Sequence, residues 1–236
     1  MTSAPVNPES RAARDRWAEN AFAQAQRCDE RLRGLEVRVR MDGGVAHVDG
    51  QVPDEDARSR VREHLVGLRD VHAVWDGLLV GDQQRLRVLD VGCGKSKQRE
   101  GSWGLDMSAH EGVDVVGDLS RLPFAPGSLD RIYAVHVLEH LLDLVPVMAV
   151  LHRTLAPGGT LHLMSPRWDR VNAYADPTHV KYLDVQTIKY FCTDRPGSPP
   201  WYPLCAGTDG ENVLADLTPV QPGKEAGPDQ LGRFFD

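Results

Sequence analysis

The sequence predicts an α/β fold, a doubly wound parallel sheet, preceded by a small α+β unit. Three observations point there. The run Arg85-Leu86-Arg87-Val88-Leu89-Asp90-Val91-Gly92-Cys93-Gly94 reads as a buried strand ending in a glycine turn. From that point strand-like and helix-like patterns alternate, as such a sheet requires. Before it, two alternating segments flank Asp42-Gly43-Gly44, a strong hairpin signal.

Composition sets the outer limits. With 236 residues the chain can hold one large domain, or an ordinary domain and a small one. Hydrophobic content of 41% and charged content of 26% are those of a globular protein. A net charge of −7 and a pI near 5.7 argue against a nucleic-acid partner, which needs a basic face. No apolar run is long enough for a membrane span, and Met1-Thr2-Ser3-Ala4-Pro5 does not open a secretory signal, so a cytoplasmic location is expected. Cys28, Cys93, Cys192 and Cys205 form no Cys-x-x-Cys pair, and no metal site or disulfide framework is expected.

In chain order, residues 9–35 read as a helix with Trp17, Ala21, Phe22 and Ala25 at helical spacing. Strands follow over 36–41 and 45–52. Pro53-Asp54-Glu55 starts a helix with Val61, Leu65 and Leu68 on its apolar face, and 71–80 is a third strand. These elements form the first expected domain, residues 1–80. Gly81-Asp82-Gln83-Gln84 joins it to the second, residues 85–236. There, strands are expected over 87–91, 102–106, 113–117, 129–135 and 160–164, with a helix over 143–155 stopped by Pro157-Gly158-Gly159. A further helix over 185–191 and strands over 201–206 and 212–217 complete the set. Residues from Pro219 onward read as loosely held.

The chemistry-bearing residues fall at successive strand ends. Gly104-Leu105-Asp106 places a carboxylate where a vicinal diol of a ribose would lie. Gly117-Asp118-Leu119 offers an acceptor for an adenine amino group and an apolar flank for its ring. Leu129-Asp130-Arg131-Ile132-Tyr133-Ala134-Val135-His136 leads into Val137-Leu138-Glu139-His140 beside the same crevice.

Two resemblances follow. Val37-Arg38-Val39, Gly44-Val45-Ala46-His47-Val48-Asp49-Gly50-Gln51-Val52 and Val71-His72-Ala73-Val74 before Leu78 resemble a BON domain over roughly residues 30–80. Such domains are associated with lipid or partner binding. Here the unit is expected to serve packing or homodimer formation. Leu89-Asp90-Val91-Gly92-Cys93-Gly94, Leu122-Pro123-Phe124 with Ser128-Leu129-Asp130, His136-Val137-Leu138-Glu139-His140 and Leu151-His152-Arg153-Thr154-Leu155-Ala156-Pro157-Gly158-Gly159 resemble class I S-adenosylmethionine-dependent methyltransferases of the type 11 group. This likeness implies the Rossmann-like, seven-stranded methyltransferase sheet and S-adenosylmethionine as cofactor. Carried over by position, Gly92 and Gly94 would pack on the cofactor, Asp106 would hold its ribose, and Asp118 with Leu119 its adenine. Asp90, Cys93, Met107 and His136 complete the expected cofactor contacts.

One departure is informative. Only seven residues, Lys95-Ser96-Lys97-Gln98-Arg99-Glu100-Gly101, separate Gly94 from Ser102. An average helix takes about 11–12 residues, so the helix after the glycine turn is expected to be short or missing, and its N-terminal dipole with it. Lys95, Lys97 or Arg99 is expected to contact the methionine carboxylate instead.

For acceptor binding the sequence points to Tyr174-Ala175-Asp176-Pro177-Thr178-His179-Val180-Lys181-Tyr182, with Tyr174, Asp176, His179 and Tyr182 as contacts. Methyl transfer from a sulfonium is a displacement, so alignment dominates. An oxygen or nitrogen acceptor also loses a proton, and histidine titrates near the working pH. His179 is the first choice for that base and His136 the second. The acceptor is expected to be a small molecule or a peptide. Two other functions compete. An NAD(P)-dependent oxidoreductase would prefer a third glycine where Lys97 stands. A non-catalytic cofactor-binding scaffold would act through the amino-terminal unit.

Overall fold

The computed structural model describes residues 8–220 and 223–235. The chain divides into two compact units, Met1–Leu86 and Arg87–Asp236. In the first, α1 (Pro8–Cys28) precedes a hairpin of β1 (Glu36–Asp42) and β2 (Val45–Val52), then α2 (Glu55–Val66) and β3 (Ala73–Val80). The sheet order is β1-β2-β3, antiparallel across the hairpin and parallel between β2 and β3. Gly43 and Gly44 take φ of +60° and +87°, the left-handed conformation of a tight hairpin turn. Both of their amides donate to the Asp15 carboxylate on α1, at 2.9 and 3.0 Å. Asp54 caps α2 by accepting from the Ala57 amide. Phe22, Leu32, Val48, Val61, Leu65, Val74 and Leu78 fill the core between sheet and helices. α1 ends at Cys28 rather than at 35, because the Asp29 carboxylate takes the Arg31 amide at 2.8 Å and competes with the helix ladder.

Under the sheet of this unit lies an ionic cluster. Asp76 on β3 is buried and accepts from Arg58 Nε at 2.5 Å, Arg62 Nη2 at 2.7 Å and the Leu78 amide at 2.9 Å. Arg58 is buried too, and it also reaches Glu55 at 3.0 Å. Burial opposes the Arg58 charge, but the Asp76 and Glu55 carboxylates outweigh it and raise its pKa.

Among its described residues the second unit holds seven strands: β4 (Val88–Val91), β5 (Trp103–Asp106), β6 (Val115–Val116), β7 (Leu129–Val135), β8 (Leu155–Pro166), β9 (Trp201–Thr208) and β10 (Asn212–Pro219). Its helices are α3 (Leu144–Thr154), α4 (Val171–Tyr174), α5 (Val185–Phe191) and α6 (Pro228–Phe235). The order is β6-β5-β4-β7-β8-β10-β9. Strands β6 to β8 run parallel, and β10 and β9 close the far edge antiparallel. Connections leave β4 toward β5 and β6 on one side, and β7 and β8 lie on the other. This reversal puts a crevice at the carboxyl ends of β4 and β7, where such sheets bind ligands.

The β4–β7 junction is latched by a residue the sequence had only grouped with a motif. Asp130 accepts from the Arg87 amide, Nε and Nη2 at 2.8, 3.0 and 2.8 Å. Farther along the sheet, the buried His162 and Asp216 pair across β8 and β10 at 2.8 Å, with Tyr133 stacked on the imidazole.

Three expectations need correction. No helix separates β4 from β5, as anticipated, but β6 is only two residues long. Pro157-Gly158-Gly159 does not stop α3, which ends at Thr154, and β8 already runs through those residues. The tail is not loosely held, for α6 buries Phe235 and receives Gln186 Nε2 on the Phe235 carbonyl at 2.6 Å. The Pro- and Gly-rich stretch before α6 hides its amphipathic pattern.

Candidate functional site

The bend after β4 assigns its two glycines different tasks. Gly92 and Gly94 have φ of +65° and +53°. A Cβ on Gly92 would lie 2.5 Å from Val137 Cγ2, whereas one on Gly94 would meet nothing within 4 Å. Gly92 therefore makes room for the segment after β7, and Gly94 fronts open space. The sequence expected both to pack on a ligand; Gly94 offers open space, and Gly92 has Val137 against its Cβ position.

Beside that space stands Asp106 at the end of β5. Its Oδ2 accepts from the Gly94 amide at 3.0 Å and its Oδ1 from the Ser108 amide at 2.9 Å. Each oxygen keeps a lone pair for another donor. Met107 beside it is 76% exposed. Asp118 is exposed and caps the turn Leu119–Arg121; the Ser120 amide and hydroxyl hold its pKa low. Leu119 is buried in the core cluster.

The residues that replace the missing helix form a packed staple. Asp90 is buried at the end of β4 and accepts from the Gln98 amide at 2.5 Å. Lys97 Nζ donates to the Ser102 carbonyl at 2.9 Å and to Asp114, which also takes the Gly104 amide. Those two donors lower the Asp114 pKa. A Cβ on Gly104 would collide with Gly112 O, Cys93 Sγ and Lys97 Cε, so the loop seats on a bare backbone. Burial, then the Asp90 and Asp106 charges, push the Cys93 thiol up, which suits packing rather than nucleophilic chemistry. Lys97 is thus committed within the loop, and Asp114, which holds it, has no signal in the sequence beyond being an acidic residue in a turn.

Burial raises the Asp90 pKa to about 6, against the opposing pull of the Gln98 amide and Lys97. Because the folded value exceeds the unfolded one, the folded state binds more protons between about pH 4 and 6, and stability falls as pH rises through that window. Asp90→Asn removes this dependence. Relative to wild type, the variant should gain up to about 3 kcal/mol between pH 4 and 7 in urea melts. A constant difference across that range would refute it.

At the end of β7, His136 has φ of +53° and donates its amide to the Met164 carbonyl at 2.9 Å. Its half-exposed ring places Nδ1 3.4 Å from Glu139 Oε1. Glu139 is buried, and its Oε2 accepts from Ser165 Oγ at 2.6 Å. Burial raises the Glu139 pKa, but His136 and Ser165 outweigh it and the net shift is downward. The Val180 and Lys181 amides both donate to the Glu139 carbonyl, at 2.8 and 3.0 Å. They pin the 174–182 segment onto the turn Leu138–His140. His179 Nδ1 lies 3.1 Å from the Ala173 carbonyl, and its ring meets His140 edge-on at 4.7 Å. Asp176 accepts from the Thr178 amide and hydroxyl, which hold its pKa low. Tyr174 and Tyr182 are both exposed. The sequence missed the grouping of Glu139 and Ser165 with His140 and His179, because they come together only through β7–β8 pairing and the returning loop.

Comparison with known proteins bears on this unit. Residues 89–163 match the family model described as a methyltransferase domain. This stretch is similar to methyltransferase domains. The methyl donor of such a domain is S-adenosylmethionine. The match covers the glycine bend, Asp106, Asp118 and the His136–His140 segment of the domain. A stretch of 76 residues is 39% identical to an uncharacterized 37.1 kDa protein in transposon TN4556 of Streptomyces fradiae. It covers 32% of this chain and spans a fifth, 20%, of that relative. Among solved structures, the chain is similar to a SAM-dependent methyltransferase from Archaeoglobus fulgidus, at 24% identity and TM-score 0.39 over 44% of this chain and 57% of that one. It is also similar to an S-adenosylmethionine-dependent methyltransferase from Mesorhizobium loti, at 15% identity and TM-score 0.40 over 56% and 90%. Among the described residues no helix is long and apolar enough to cross a membrane.

Proposed function

We propose that the chain transfers a methyl group from S-adenosylmethionine to an oxygen or nitrogen atom of a small-molecule or peptide acceptor. The observation that carries this reading is the open space in front of Gly94 beside the Asp106 carboxylate. That arrangement fits the nucleoside: a bare backbone for close approach, and two acceptor oxygens for a vicinal diol. Asp118 is proposed to accept from the adenine amino group. When bound, the cofactor supplies an electrophilic methyl on a sulfonium.

The chain's own residues align the acceptor, exclude water and hold its proton. The base is assigned to His136 rather than His179. The His136 ring is half exposed and oriented by Glu139, whereas the His179 side chain is 8% exposed and engaged by Ala173 and His140. Tyr174, Asp176 and Tyr182 are proposed to line the acceptor side. The amino-terminal unit is proposed to be BON-like, on its hairpin–helix–strand order, and to serve packing or homodimer formation. A cytoplasmic location completes the proposal.

Calorimetry with S-adenosylmethionine and S-adenosylhomocysteine tests the binding half. Mass spectrometry after incubation with methyl-labelled cofactor and cell extract tests the transfer. His136→Ala should lower turnover at saturating cofactor roughly 10²–10⁴-fold, well beyond any change in cofactor affinity. Absence of binding would sink the reading. Binding with no transfer to any acceptor would favour a scaffold instead.

A further inference from the structure

Glu139, His140 and His179 each offer one ligand atom, and these atoms all lie within 4.8 Å of one another. No metal was to be expected from the residue order, since the two histidines stand 39 positions apart in the chain. In the fold they share one carboxylate.

The hydrogen bonds around the cluster leave its inward atoms without partners. His179 Nδ1 faces the Ala173 carbonyl at 3.1 Å, so that nitrogen carries the proton and Nε2 carries a lone pair. His140 Nδ1 faces the Thr178 carbonyl at 3.3 Å and Thr178 Oγ1 at 3.0 Å. That hydroxyl donates to Asp176, so it accepts from His140, whose Nε2 is likewise left with a lone pair. Ser165 holds Glu139 Oε2, while the buried Oε1 lacks a hydrogen-bond partner of good geometry, with His136 Nδ1 standing 3.4 Å away. Asp176 Oδ2 stands 4.0 Å from His179 Nε2, beyond hydrogen-bond distance. Two imidazoles tethered through Nδ1 to carbonyls, and a carboxylate tethered through one oxygen, make up the outer support that metal ligands require.

We propose that Glu139, His140 and His179 bind one divalent transition cation of the zinc type. Two nitrogens and one carboxylate oxygen suit a borderline cation rather than magnesium or calcium. Three protein ligands leave a coordination position open, and His140 is exposed to solvent. The metal site stands on geometry alone. Its consequence for chemistry rests on the methyl-transfer reading: the acceptor would be an oxygen compound that ligates the cation. Its hydroxyl proton would pass to His136, its oxygen would form the new bond to the methyl carbon, and the breaking carbon–sulfur bond would leave its electron pair on sulfur.

The test uses the full chain without an affinity tag, stripped with a chelator and titrated with Co²⁺. One equivalent should raise a visible absorption band that Zn²⁺ displaces and Mg²⁺ does not. His140→Ala and His179→Ala should abolish the band, and Ser165→Ala should weaken affinity roughly 10–100-fold. His110→Ala, in an exposed loop, should change nothing. Circular dichroism checks each fold. Should His179→Ala fail to fold, the exposed His140 variant decides alone. A missing band in the wild type, displacement by Mg²⁺, or a band surviving in His140→Ala would overturn the proposal. Calorimetry with S-adenosylmethionine on the same samples separates the two readings. Lost cofactor binding with an intact band sinks methyl transfer and not the metal site.

Discussion

Arg58→Met should destabilise the amino-terminal unit by about 3–5 kcal/mol, the cost of stranding a buried carboxylate when one partner of an ion pair is removed. Asp76 and Arg58 are 1% and 3% exposed. Water therefore cannot replace the lost guanidinium, and Arg62 remains to neutralise only part of the charge. The unit is small, so a loss of this size is a large part of its stability. Glu55→Gln is the control. Glu55 touches the same arginine but is 63% exposed at the side chain, and its removal should cost no more than about 1 kcal/mol. Amide hydrogen exchange in β2 and β3 reads the two variants separately from the rest of the chain. Equal effects would mean that burial does not set the strength of this pair.

Asp106→Ala should weaken S-adenosylmethionine binding roughly 100-fold or more without unfolding the chain. Each hydrogen bond to a charged group contributes about 1.5–3 kcal/mol, and a vicinal diol would make two. At about 1.4 kcal/mol per factor of ten, the pair accounts for at least two orders of magnitude. The fold should survive because Asp106 sits at a strand end, and the amides of Gly94 and Ser108 that it releases lie near solvent. Asp106→Asn keeps one acceptor oxygen and should fall between wild type and Ala. Calorimetry giving the same affinity for all three proteins would remove the ribose contact from the site.

Much of this was legible in the sequence because the signals are local. Asp42-Gly43-Gly44 sets its own hairpin, and the apolar run into Gly92 sets its own strand and bend. The shortage of residues between Gly94 and Ser102 announced the missing helix by counting alone. What escaped detection is built from distant partners. Lys97 looked available for a ligand until β5 brought Asp114 beneath it. His179 gave no sign that the loop after β8 folds back onto the Glu139 carbonyl. Asp130 looked like part of a recognition motif, yet its carboxylate fastens Arg87 at the entry to β4. Strand and turn chemistry is written within a few residues, whereas side-chain pairing depends on the register of strands far apart.

The absent helix between β4 and β5 has an electrical consequence. A helix N-terminus holds an anion through backbone amides at contact distance, while solvent-facing cations such as Lys95 are screened within about 8 Å at physiological ionic strength. On this flank, attraction for an anionic group therefore depends on the salt content of the surroundings, and dilute and saline buffers present two different proteins to the same ligand.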